Sequence, residues 1–195
     1  MIFNLSVVAQ SPRRSDRLLQ ALSGNWQVSG IFTATSGSWI NVIDGEDASL
    51  TNTGADRPNE VANPFTPGTV STNPSCTAPS AVHTLAAWYN PCAFAAAPLG
   101  NYGTLARDAM LGPGNWNFDA AIWRTFPISE RFRLDFRAEA FNALNHFEMG
   151  NPRTTLFTGN LNIANPNATV RSTSAGYIGS AAAPRIMQVA LKLTF

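Results

Sequence analysis

The densest set of charged side chains is Arg131, Arg133, Asp135, Arg137 and Glu139, five charges at successive alternate positions. A period of two puts all five on one side of a β-strand. There they can track an ionic solute or, more commonly, pair across strands and hydrate a wall. Trp88 and Tyr89, in the run WYNPCAF, offer flat rings that can stack on a ligand such as a sugar or pack the loop that carries them. His83 and His146 lie far apart, and neither belongs to an HxxxH or HExxH pattern that would set two zinc ligands on one helix face. No serine sits in a GxSxG elbow, and GPG at 112–114 reads as a turn before a strand rather than a phosphate-binding loop. With no nucleophile beside a base and no ligand set, the expectation is a non-enzyme with no catalytic residue, metal or cofactor.

The elements that must carry these residues belong to a chain of 195 residues, 45% hydrophobic but only 13% charged. A typical soluble domain carries about 25% charged residues. The 13 basic and 12 acidic residues leave a net charge of +1 with no basic cluster, which excludes nucleic acid as a partner. No apolar run is long enough for a membrane helix, whereas membrane strands stay open. The start MIFNLSVVAQSPRR lacks a basic stretch before its apolar residues and is not a secretory signal peptide, so the chain is expected either to stay in the cytosol or to be part of something longer.

Five segments alternate like half-buried strands, near 2–9, 25–35, 115–126, 131–142 and 185–195. In the last, Met187, Val189, Leu191, Leu193 and Phe195 oppose Gln188, Ala190, Lys192 and Thr194. In the fourth, Phe132, Leu134, Phe136, Ala138 and Ala140 oppose the five charges. A helix is the competing reading there, since Phe132, Phe136, Ala140 and Leu144 recur every four residues, but it scatters the charges around the axis. In the third, Trp116, Phe118, Ala120 and Ile122 oppose Asn117, Asp119 and Ala121. Trp123 then interrupts the polar side and Arg124 the apolar side. The short link 127–130 is a hairpin turn, so its two strands pair antiparallel. Two long stretches rich in Gly, Pro, Asn, Ser and Thr, roughly 36–114 and 145–184, show no periodicity and read as loops.

Two architectures satisfy such strands. In a soluble sandwich, as in a secreted adhesion or carbohydrate-binding module, the apolar faces of two sheets meet. In an outer-membrane barrel the apolar face meets lipid and the polar face lines the lumen. Segments of about ten residues, short turns alternating with very long loops, and Trp26, Trp116, Phe126, Phe132 and Phe195 near strand ends favour the barrel. A periplasmic turn at 127–130 makes both long loops extracellular and returns the C-terminus to the periplasm. Five strands cannot close a membrane barrel, which begins at about eight. The fold expected is therefore an all-β, antiparallel, incomplete transmembrane barrel segment spanning 1–195. Cys76 and Cys92 are too few for a disulfide scaffold and form no CxxC motif. They share one loop in an oxidising compartment, which predicts a disulfide between them.

Several runs carry a resemblance: GNWQVSGIFTATSGSW at 24–39, WYNPCAF at 88–94, GPGNWNFDAAIWRTFPISERFRLDFRAEAFNALNHFEMGNP at 112–152, and the final PRIMQVALKLTF. They resemble the C-terminal end of Oar-like TonB-dependent receptors. That resemblance implies a barrel of about 22 strands, filled by an N-terminal plug preceded by a carboxypeptidase-regulatory-like domain and energised through a TonB box. The plug, the TonB motif, a signal peptide and most of the strands are absent from the sequence read. It further implies an outer-membrane location and uptake of a ligand that the sequence does not name. Implied partners are outer-membrane lipid, the rest of the receptor, TonB through its N-terminal part, and the barrel-assembly machinery, which reads a terminal aromatic such as Phe195.

Overall fold

The computed structural model describes residues 1–12, 15–68, 76–158 and 171–195. The chain divides into two compact units, one comprising Met1–Ser36, Asn115–Glu148 and Ala182–Phe195, the other Gly37–Gly114 and Met149–Ala181.

The first unit is a single antiparallel sheet. Strand β1 spans Ile2–Gln10, and helix α1, Arg17–Ser23, leads into β2, Trp26–Thr35. Four two-residue strands of the second unit follow, β3 at Trp39–Ile40, β4 at Asn59–Glu60, β5 at Phe94–Ala95 and β6 at Met110–Leu111. The sheet resumes with β7, Asn115–Pro127, β8, Arg133–Phe141, and β9, Ile186–Thr194, in the spatial order β1-β2-β7-β8-β9. All pairings within it are antiparallel. The short α1 begins where the Asp16 carboxylate accepts the Leu18 and Leu19 amides at 2.8 and 3.3 Å, an N-cap that satisfies donors a helix start leaves over.

Register carries the alternation of each strand across the sheet. One row reads Val7, Gly30, Ala120, Ala140, Met187 and the next in phase reads Ala9, Val28, Ile122, Ala138, Val189. Between them on the other face run Val8, Ser29, Ala121, Glu139 and Gln188. A slip of one residue in any strand would exchange its two faces. Gly30 leaves room for a neighbour: a Cβ there would lie 3.0 Å from the Phe118 ring, which would have to give way.

The hairpin between β7 and β8 is longer than the alternation predicts. The Ile128 and Ser129 amides donate to Phe132 O at 3.0 and 3.1 Å, and Ser129 Oγ accepts the Arg131 and Phe132 amides at 3.4 and 3.2 Å. These bonds draw Arg131 and Phe132 out of the strand, and β8 begins at Arg133 opposite Pro127. Arg131 is thus an exposed turn residue and not a member of the charged ladder.

The two aperiodic stretches are not open loops. Together they build the second unit around Val42, Tyr89, Phe94, Met110, Leu156 and Phe157, all buried. Backbone bonds join its two segments, with Ile43 donating to Thr154 at 3.1 Å, Phe157 to Asp44 at 3.0 Å and Trp88 to Gly176 at 2.8 Å. Periodicity is absent because turns and isolated bridges, not long strands, hold this core together.

Cys76 and Cys92 form a disulfide with Cα atoms 5.7 Å apart. Closing a loop of this size contributes about 3 kcal/mol in the chain-entropy model. Alkylation of the denatured protein without reductant should label neither cysteine. The double substitution Cys76→Ser, Cys92→Ser should lower the calorimetric stability of the second unit by roughly that amount.

Candidate functional site

The two faces of the sheet differ in chemistry. Toward the hairpin end the polar face carries Gln10, Gln27, Trp123, Arg137 and Ala190 in one row and Thr125, Asp135 and Lys192 in the next in phase. Arg137 and Glu139 form an ion pair, and Gln188 Nε2 donates to the same Glu139 carboxylate. Thr125 Oγ1 donates to Asp135 Oδ1 at 2.7 Å, and Lys192 stands opposite Asp135 in register. Four of the five charges read from the sequence, Arg133, Asp135, Arg137 and Glu139, thus share β8, with Glu139 satisfied by its neighbours. The result is a polar surface that alternates cations and anions along β8.

The other face is apolar and uncovered. Phe3 and Val7 on β1 are 52% and 56% exposed, and Met187, Val189 and Leu191 on β9 are 67–69% exposed. In water such a face would be covered, since large exposed apolar patches mark contact surfaces. A soluble sandwich would bury it against a second sheet; among the described residues of this unit the sheet is a single layer. The chain also matches the family described as outer membrane beta barrel domain, over residues 1–188.

The chain belongs to the outer membrane beta barrel domain family. No curated protein and no solved structure matches it. Among the described residues its five sheet strands leave the barrel open at β1 and β9.

The ends of this barrel segment differ. At one end stand the β7–β8 hairpin, the connection through α1 and Phe195, which is 90% exposed. At the other end the strands lead into the residues of the second unit. The turn that follows β8 is fixed there by Asn142, buried at φ +49°. Its amide donates to Asp119 Oδ1 at 2.9 Å and its side chain exchanges two 2.8 Å bonds with the His146 backbone. The His146 ring stacks on Trp116 with centroids 3.8 Å apart. His83 lies far from it in sequence and in the other unit, stacked on Phe65 at 4.9 Å and edge-on to Trp88 at 4.9 Å. Among the described residues no three His, Cys, Asp or Glu side chains are grouped to hold a metal.

The loop aromatics separate into two roles. Tyr89 is fully buried, edge-on to Phe94 with centroids 5.9 Å apart, and its hydroxyl donates to Arg153 O at 2.8 Å. It is a core residue, and its ring offers no surface to a ligand. Burial raises its phenol above the ordinary value. Trp88 is half-buried, with Nε1 donating to Leu111 O at 2.9 Å.

The alternation of the sheet strands does not point to Asp44. It shares the phase of Ile40 and Val42, so an acid stands where a third apolar residue would. It is fully buried. Oδ2 accepts the Ala97 amide at 3.3 Å, and Oδ1 has no hydrogen-bond partner. Desolvation, with smaller contributions from Asp56 and Glu46, pushes its carboxyl up to about 7 against the Ala97 amide and the Arg171 guanidinium. Arg171, lowered by burial, donates to Pro91 O at 3.0 Å and Phe94 O at 2.7 Å and lies over the Phe157 ring.

Because the folded value exceeds the unfolded one of 3.8, the folded second unit holds this proton more tightly. Its contribution is complete below about pH 4, is lost as pH rises to about 7, and is flat above that. The loss is on the order of 4 kcal/mol. Calorimetry of the second unit in the full-length protein should show its melting point falling between pH 4.5 and 8, and Asp44→Asn should flatten that dependence.

Proposed function

We propose that this outer-membrane barrel domain is the C-terminal wall of a TonB-dependent receptor of the Oar-like type, contributing strands and extracellular loops to the uptake of a ligand. The single observation that carries the proposal is the open sheet with one bare apolar face and one charge-compensated polar face. Such a sheet is a section of a larger cylinder, and its polar face suits a water-filled or plug-filled lumen. Opposed ends, one with a short hairpin and the other leading into a folded unit, agree with periplasmic and extracellular sides respectively. The resemblance of the runs at 24–39, 88–94, 112–152 and 184–195 supplies the receptor type. In this reading the remaining strands, the plug and TonB complete the transporter. The barrel-assembly machinery reads Phe195, and the chain performs no catalysis. The Arg133, Asp135, Arg137 and Glu139 ladder hydrates the wall.

The facing is tested by placing the same charge on neighbouring residues. Ile122→Arg sets a cation on the lipid side near the middle of β7, at a cost of about 2–4 kcal/mol. Ala121→Arg sets it on the polar side beside Glu139 and should assemble almost normally. Heat-modifiable electrophoresis of full-length protein from outer membranes reads the difference, and equal assembly of the two would overturn the facing.

Deleting Phe195 tests the terminal mark. The shortened protein should insert poorly and be degraded in the periplasm, and its outer-membrane level reports the outcome.

A further inference from the structure

The alternation of β7 breaks once, at Trp123–Arg124. Register sets Trp123 among the polar residues Gln27 and Arg137, and Arg124 on the lipid side in the row Trp26, Arg124, Phe136, Leu191. The arginine is held there by two aromatics. Its guanidinium carbon lies 4.9 Å from the centroid of the Trp26 ring on the neighbouring strand and 4.4 Å from that of Phe126, two residues along its own. A lipid-facing arginine is costly at the bilayer centre and cheap near an interface. Arg124 lies three residues before the end of β7 at Pro127, roughly 10 Å along the strand. Beyond it the hairpin exposes Ile128 and Phe132, and the helix before β2 exposes Leu18 and Leu19. Exposed apolar side chains therefore continue past Arg124 toward the hairpin end.

We propose that Trp26, Arg124 and Phe126 form a binding site for the phosphate of a membrane phospholipid in the leaflet at the hairpin end. The guanidinium is a rigid fork of donors that matches phosphate geometry bidentately and is only weakly hydrated. The two rings hold it by cation–π attraction on the apolar face of the sheet. Acyl chains then lie along Phe136, Leu191 and Ile122, which share the face. The proposal rests on the lipid facing of this side of the sheet.

The test uses full-length protein purified in mild detergent, with phosphatidylglycerol and diacylglycerol of identical acyl chains as probes and lipid retention read by native mass spectrometry. Wild type should retain phosphatidylglycerol at least about tenfold over diacylglycerol. Arg124→Gln should abolish the preference and Arg124→Lys should keep part of it, both scored only on heat-modifiable, folded material. Equal retention of the two lipids by wild type overturns the site even if no variant folds, as does an unchanged preference in folded Arg124→Gln. Displacement of the lipid by millimolar inorganic phosphate would show a free-anion site and overturn the lipid assignment. A wild-type protein that stays soluble without detergent overturns the lipid facing itself, whereas a folded barrel without lipid preference removes only this inference.

Discussion

Within hydrocarbon there is no water to satisfy a backbone N–H or C=O, so a strand is stable only when both of its edges are paired. β2, β7 and β8 meet that condition, while β1 and β9 are each paired on one side alone. The rest of the sheet follows from this constraint. A wall one strand thick builds no core of its own, so its side chains divide between an apolar face and a polar one. Every residue of β1 and β9 is exposed. Register becomes the main determinant of order, because it alone keeps apolar residues of five strands on one face. Small residues such as Gly30, Ala120 and Ala140 in one row leave room for larger neighbours like Phe118.

What the sequence reveals follows the same division. Strands whose two faces meet different solvents must alternate, and the five sheet strands were therefore readable to within two residues at each end. The β7–β8 turn misled because Ser129 captures amides of Arg131 and Phe132, and one side-chain oxygen outweighs two residues of good alternation. The second unit was opaque. Its core residues, such as Val42, Phe94 and Leu156, come from stretches held by turns, isolated bridges and a disulfide, none of which imposes a period. The alternating charges from Arg133 to Glu139 do lie together on β8. Tyr89 is an interior residue, because an aromatic in a Pro- and Gly-rich run signals equally a ligand platform and a core. Asp44 is visible in hindsight, as an acid in phase with Ile40 and Val42. Arg124 was visible beforehand as a broken pattern, although only the register showed which aromatics surround it.

The second unit is assembled from two segments far apart along the chain, with the β7–β8 hairpin lying between them in sequence. Ser38 and Asn151, 113 positions apart, share a 3.0 Å hydrogen bond, and Leu156 and Phe157 complete a core begun by Ile40 and Val42. Neither segment holds the whole core. The two segments of the second unit are thus bound to one shared interior. Loss of the 149–181 segment would strip the 37–114 segment of Leu156, Phe157 and Ala175, and loss of 37–114 would strip those three of the other seven core residues. A substitution within one segment leaves the shared interior untouched at exposed positions such as Tyr102 and Val61, whereas refashioning that interior calls for matched changes in both segments.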